Sequence, residues 1–136
     1  MPRAESASIP EPDDRCPCLS GSVFGECCGP LIAGTRNAPT AVQFMRSRFT
    51  AFAIGAREYL VATWHPSTRP SSLELDPSMR WYRLDVIQTE RGGPLDRTGS
   101  VEFRAYYRAG AERGELHETS SFVREDDGWR YVDGVS

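Results

Sequence analysis

A chain of 136 residues with a formal net charge of −3 admits one ordinary domain and excludes a multidomain enzyme. With 39% hydrophobic and 10% aromatic residues it can build a real core, which excludes disorder throughout. The acidic balance argues against a dedicated nucleic-acid binder, and because all 16 basic residues are Arg, lysine-dependent chemistry such as a Schiff base is excluded.

No stretch approaches the run of about eighteen apolar residues that spans a bilayer, so no membrane partner is expected. The first ten residues, Met1 to Pro10, lack the apolar region of a signal peptide, and a cytoplasmic location is expected. Residues 1–15, rich in Pro, Ser and acids, read as a flexible lead-in.

Next comes a dense turn region. Cys16-Pro17-Cys18 and Cys27-Cys28 place all four cysteines of the chain close together in sequence. In a reducing compartment such a group is expected to bind metal, and a set of four thiolates suits one structural Zn2+ in a tetrahedron. Glycines at 21, 25 and 29 supply turns, and Ser20 is placed to touch a ligand sulfur. The alternative is a pair of disulfides crossing from Cys16 and Cys18 to Cys27 and Cys28. The short loop and the reducing setting count against it. The same thiolates would also allow a redox-switched site.

After a connector, Leu31 to Pro39, the clearest helix starts at Thr40, where Thr40-Ala41-Val42-Gln43 fits a capping box. Val42, Met45, Phe49, Phe52, Ala53 and Ala56 form an apolar stripe, with Arg46, Arg48 and Thr50 on the opposite side and Gly55 as the stop. Arg46 and Arg48 diverge by about 200° on a helix of 3.6 residues per turn, so one faces the sheet and the other solvent, and no joint phosphate clamp is expected. A second, short helix spans Ala56 to Thr63 and ends ahead of His65-Pro66.

Beyond a polar loop, Ser67 to Ser78, the period changes to two. Tyr82 to Thr89, Val101 to Arg108, Leu116 to Arg124 and Trp129 to Asp133 read as strands, with Asp126-Asp127-Gly128 as a hairpin turn. Helices first and antiparallel strands afterwards predict an α+β fold with a sheet packed on the long helix.

The run Cys16-Pro17-Cys18-x-Ser20-Gly21-x-x-Phe24-x-x-Cys27-Cys28-Gly29 resembles the SEC-C motif, the zinc-binding tail of the bacterial translocation motor. Further blocks extend the resemblance over nearly all of Cys16 to Gly134. They are Met45-Arg46-Ser47-Arg48-Phe49-x-Ala51-Phe52, Tyr59-Leu60, Thr63-Trp64-His65-Pro66-Ser67, Gly99-x-Val101-x-Phe103, Glu118-x-Ser120-x-Phe122 and Trp129-x-Tyr131-Val132-Asp133-Gly134. Together they resemble the YchJ family of uncharacterised bacterial proteins. That resemblance implies a nuclear-transport-factor-like (cystatin-like) cone, a curved antiparallel sheet around a long helix. Two departures stand out. The chain carries no second C-terminal motif of the kind many relatives have, and the segment Ser22 to Glu26 lacks the lysines common between the cysteine pairs. Both count against a knuckle that grips ribosomal RNA or an acidic partner through charge.

Cones of this kind often enclose an apolar cavity. Glu118 and Ser120 share a strand face with Leu116 and Phe122, and Tyr59, Trp64, Trp81, Phe103 and Tyr107 are the candidate aromatic wall. A His65–Glu118 pair is the candidate general base and its orienter. The competing reading has His65 satisfying a helix end, His117 on the face opposite Glu118, and Glu118 paired with Arg46 or Arg48.

The resulting expectation is a flexible segment 1–15, a zinc knuckle at 16–34 and a cone domain at 39–136. One structural Zn2+ is expected on Cys16, Cys18, Cys27 and Cys28. The favoured role is a protein-binding adaptor without catalysis of its own. The alternative is a small-molecule binder or enzyme working in the cavity. A homodimer is expected by analogy with such cones, and chelation is expected to disorder residues 16–30 while sparing the later core.

Overall fold

The computed structural model describes residues 9–135. It contains three helices, α1 (Cys28–Ala33), α2 (Ala41–Ile54) and α3 (Arg57–Ala62), then four strands, β1 (Met79–Arg91), β2 (Thr98–Ala109), β3 (Glu112–Glu125) and β4 (Gly128–Val135). The strands form one antiparallel meander in the order β1-β2-β3-β4. This is the expected α+β architecture. No described helix is long and apolar enough to cross a membrane.

The predicted boundaries of α2 hold because local chemistry sets them. Thr40 Oγ1 accepts from the Gln43 backbone N–H at 3.2 Å, and Gly55 closes the helix in the left-handed region at φ 80°. The Gln43 side chain accepts from the Thr40 hydroxyl at 3.3 Å instead of reaching the cap backbone. Thr40 thus uses its hydroxyl as both donor and acceptor within one turn.

What periodicity misplaces is the far side of this helix. Arg48 and Thr50, expected opposite the apolar stripe, are buried, and Ser47 and Thr50 are wholly inaccessible. The sheet covers only one flank. The cysteine segment covers the Thr50 side, and α3 with the strand-like Thr63–His65 covers the Arg48 side. A helix enclosed from several directions has no solvated face to reveal itself by alternation.

The sheet curves around α2. Irregularities in register lie between Trp81 and Arg83, between Val86 and Gln88, and at Ser121/Phe122, where extra residues sharpen twist. Its concave face presents Leu84, Val101, Phe103, Ala105, Phe122 and Trp129 to Phe44, Met45 and Phe49 of α2. The edge of β4 is covered by backbone bonds, His65 N–H to the Tyr131 carbonyl at 2.7 Å and Tyr131 N–H to that of Thr63 at 2.9 Å. At the opposite end the β1–β2 connection holds the start of α2, with Ala41 N–H donating to the Gly92 carbonyl at 2.9 Å.

Cys16, Cys18 and Cys28 belong to the same buried cluster as Phe44, Met45, Phe103 and Phe122. The knuckle is therefore packed into the cone's own core. Of the expected flexible lead-in, residues 1–8 lie outside the described residues. From Glu11 on, the chain is pinned: Phe24 N–H donates to the Asp14 carbonyl at 2.7 Å, Gly25 N–H to that of Pro12 at 2.9 Å, and Arg15 bridges Val23.

Candidate metal centre and cone cavity

The cysteine loop is built by backbone turns. Cys16 N–H donates to the Ser22 carbonyl and Leu19 N–H to that of Cys16, both at 3.0 Å. Leu19 and Gly21 have positive φ of 62° and 100°, which folds the loop back on itself. Gly29 serves by closeness, not by turning, because a Cβ there would meet the Phe24 carbonyl oxygen at 2.8 Å. The 3-10 turn Phe24–Glu26 then hands the chain to α1, which begins at Cys28 itself.

These turns bring the four sulfurs within 4.8 Å of one another. Cys18 Sγ lies 3.6 Å from Cys27 Sγ, and Cys27 Sγ lies 3.9 Å from Cys28 Sγ. All four cysteines are free thiols, three of them buried and Cys27 half-buried. The group can hold a metal ion. Among the thiols, hydrogen bonds from Cys16 and Cys28 hold Cys18 far below the usual thiol range. The bond to Cys18 pushes Cys16 up to about 11, and that to Cys16, with burial behind it, pushes Cys28 up as well. A bound cation would favour the thiolate form of all four.

Around the sulfurs sit three further groups. Ser20 Oγ lies 3.2 Å from Cys27 Sγ. Thr50 Oγ1 donates to Cys28 Sγ at 3.3 Å and lies 3.8 Å from Cys16 Sγ. Arg46 Nη1 donates to the Cys18 carbonyl at 2.8 Å. Thr50 and Arg46 both come from α2, so the helix holds the sulfur cluster from behind. Reading from sequence places Thr50 opposite the apolar stripe and gives it no role at the sulfurs, because the contact joins segments far apart in the chain.

The concave side of the sheet encloses a second feature, a cavity of about 220 Å³. Trp64, Trp81, Phe103, Glu118 and Ser120 line it, together with Arg48 and Tyr131. Tyr59 and Tyr107 do not. Tyr59 gives its hydroxyl to a 2.6 Å contact with Ser47 Oγ, and burial raises its phenol pKa. Tyr107 lies behind Trp81, ring centroids 5.1 Å apart, and across Gly114.

The ionic partners differ from expectation. His65 faces away from Glu118; its Nε2 lies 3.4 Å from Glu125 and its Nδ1 2.8 Å from Ser67 Oγ. His117 pairs with Glu102 at 2.7 Å on the outer face of the sheet. Neither arginine pairs with Glu118: Arg46 binds the knuckle, and Arg48 donates to the Leu60 carbonyl and the Thr63 hydroxyl. Glu118 instead accepts from Ser120 Oγ at 3.1 Å and Tyr131 Oη at 3.4 Å. The His65–Glu118 base is thus not assembled, because His65 belongs to the outer rim and Glu118 to the inner wall.

Residues 40–134 match the family model of the YchJ middle NTF2-like domain, and residues 14–30 match that of the SEC-C motif. A UPF0225 protein of Corynebacterium efficiens is 50% identical over 119 residues, covering 88% of this chain and 91% of its own. One from Streptomyces coelicolor is 48% identical over 123 residues, covering 90% and 96%. The solution structure of a SEC-C motif containing protein from Rhodopseudomonas palustris superposes with a TM-score of 0.77 at 32% identity, over 89% of this chain and 97% of that one. A crystal structure of another, from Psychrobacter arcticus, gives 0.73 at 26%, over 90% and 82%. With its sulfur cluster, its helix-wrapping sheet and these relatives in agreement, the chain belongs to the YchJ family and carries an N-terminal SEC-C motif.

Proposed function

We propose that the protein is a zinc-binding adaptor: Cys16, Cys18, Cys27 and Cys28 hold one structural Zn2+, and the knuckle so formed is a surface for a protein partner in the cytoplasm. The observation that carries the metal reading is the sulfur spacing. A tetrahedron with Zn–S bonds of about 2.3 Å has edges of about 3.8 Å. Two of the Sγ pairs, at 3.6 and 3.9 Å, bracket that length, and all four sulfurs lie within 4.8 Å of one another. Four thiolates complete the coordination shell and leave no position for substrate, which supports a structural ion over a catalytic one. When bound, such an ion contributes its binding energy to folding the loop.

The adaptor reading is supported by what the knuckle exposes. Leu19, at the apex of the loop, is 46% exposed beside three buried ligands. This apolar side chain, held out by a left-handed backbone, is the residue the adaptor reading assigns to the partner. Elemental analysis of purified protein is expected to give one zinc per chain; none in metal-replete, reduced protein overturns the metal reading. For the adaptor reading, Leu19→Glu is compared with wild type as bait. A protein retained only by wild type, and shown after purification to bind it directly, supports the reading. Identical retention by both variants overturns it.

A further inference from the structure

Two ionic side chains line the cone cavity, and neither is used by the metal centre. Arg48 enters it from α2 and is 6% exposed. All of its hydrogen bonds run through Nη1, to the Leu60 carbonyl at 3.0 Å and the Thr63 hydroxyl at 2.6 Å. Its guanidinium lies over the rings of Trp64 and Tyr131, at 5.4 and 4.7 Å. Burial lowers its pKa to about 10, which leaves it a cation at neutral pH. No carboxylate pairs with it among the described residues. Among them, the one fully covered side-chain nitrogen or oxygen without a partner is Trp129 Nε1. Nε and Nη2 of Arg48 are not among those covered atoms, and Arg48 lines the cavity.

Glu118 meets the same cavity from β3. Both of its hydrogen bonds fall on Oε2, from Ser120 and from Tyr131, so Oε1 is a free acceptor. Its carboxylate lies flat over β4 at Gly134, where any Cβ would overlap it. Tyr131 joins the two charges, touching Arg48 with its ring face and Glu118 with its hydroxyl. Apart from Ser120, which is bonded to Glu118, the rest of the wall is apolar and aromatic, with Phe49, Phe52, Trp81 and Phe103. The cavity thus offers one set of cationic donors, one anionic acceptor and an aromatic chamber.

That combination selects a ligand. A lone carboxylate would satisfy Arg48 but meet Glu118, and a lone amine would do the reverse. Either would leave a charge poorly compensated in a low-dielectric site. A zwitterion answers both and adds no net charge. A volume of about 220 Å³ lies below the drug-sized range of roughly 300–1,000 Å³ and suits about a dozen non-hydrogen atoms. We propose that the cone cavity binds a free apolar α-amino acid of about the size of phenylalanine, its carboxylate on Arg48, its ammonium on Glu118 and its side chain among Phe49, Trp81 and Phe103. None of the four cysteines lines this site, and the proposal does not require the knuckle's partner.

The test is calorimetric titration of the full-length, metal-loaded protein with L-phenylalanine, and with 3-phenylpropionate and 2-phenylethylamine, which each lack one charge. L-phenylalanine is expected to bind at one saturable site, with each single-charge analogue at least tenfold weaker. Glu118→Gln keeps the side-chain shape and is expected to weaken L-phenylalanine about tenfold while leaving 3-phenylpropionate unchanged or tighter. Ala105→Leu, which fills the cavity, is expected to abolish binding; should it fail to fold, the Glu118→Gln comparison decides alone. The proposal is overturned by no saturable heat at millimolar L-phenylalanine, by equal affinity for the three ligands, or by an affinity indifferent to Glu118→Gln.

Discussion

The hydroxyl of Thr50, in the middle of the cone's long helix, donates to the sulfur of Cys28 at 3.3 Å. The residue is wholly buried, and the same oxygen stands 3.8 Å from Cys16 Sγ. A side chain of the cone is thereby part of the environment of the sulfur cluster. The helix both fills the sheet and tunes the sulfurs, so the two parts of the chain act on each other.

Removing that hydroxyl while keeping the shape tests the coupling. Thr50→Val is expected to fold and to lower metal affinity by about 10- to 100-fold, the usual cost of losing a partner behind a ligand. Competition with a chromophoric chelator measures it. An affinity equal to wild type would mean that the hydroxyl contact has no energetic weight.

Metal removal is expected to act on the whole domain. Cys16, Cys18 and Cys28 share one buried cluster with Phe44, Phe103 and Trp129, which revises the expectation that chelation spares the later core. With chelator present, far-ultraviolet circular dichroism and tryptophan fluorescence should melt together at a lowered Tm. Two separate transitions, with the tryptophan signal unmoved, would restore the picture of an independent knuckle.

Gly99 and Gly92 face each other across the β1–β2 connection. A Cβ on Gly99 would sit 2.6 Å from Gly92 Cα and 2.9 Å from its nitrogen, both backbone atoms that cannot swing away. Gly99→Ala is expected to cost about 1–3 kcal/mol, in the range for overpacking. Gly93→Ala, whose nearest neighbour is a flexible Asp96 oxygen at 3.4 Å, is the near-neutral control. Urea denaturation of both variants checks the contrast.

Tyr131 gives the fold an alkaline limit. Burial, and then the nearby Glu118 carboxylate, push its phenol up to about 12 from an ordinary 10. Between those values the folded state keeps a proton that the unfolded state has lost. The contribution is fully present below pH 10 and is lost as pH rises through 12. Arg48 has the opposite sign, since its lowered pKa makes burial less costly as it deprotonates. The difference between wild type and Tyr131→Phe isolates the phenol: the loss of Tm from about pH 9 to about pH 11.5 should be smaller in the variant. Equal losses would show that Tyr131 does not titrate late.

Much of the fold is legible locally. Thr40 and Gly55 bound α2 because a cap and a left-handed stop act within one turn, and the alternation of Val101, Phe103 and Ala105 marks a half-buried strand wherever that strand ends up. The four cysteines are likewise readable, since their type and proximity already limit what they can do. Arg48 and Glu118 are not. Periodicity places Arg48 opposite the apolar stripe, but burial depends on what else covers the helix, and here α3 and Trp64 arrive from beyond the helix itself. The competing reading gives Glu118 Arg46 or Arg48 as its partner, while the fold supplies Ser120 and Tyr131.

The order of helices and strands, their caps and turns, and the thiol set are all written locally along the chain, because each rests on interactions among residues a few positions apart. Which polar residues are buried, which histidine sits on the rim, and the joining of knuckle and cone into one core were settled only when the chain closed on itself. Those outcomes depend on contacts between distant segments, such as Thr50 with Cys28 and Thr68 with Val132, whose spacing along the chain says nothing of their distance in space.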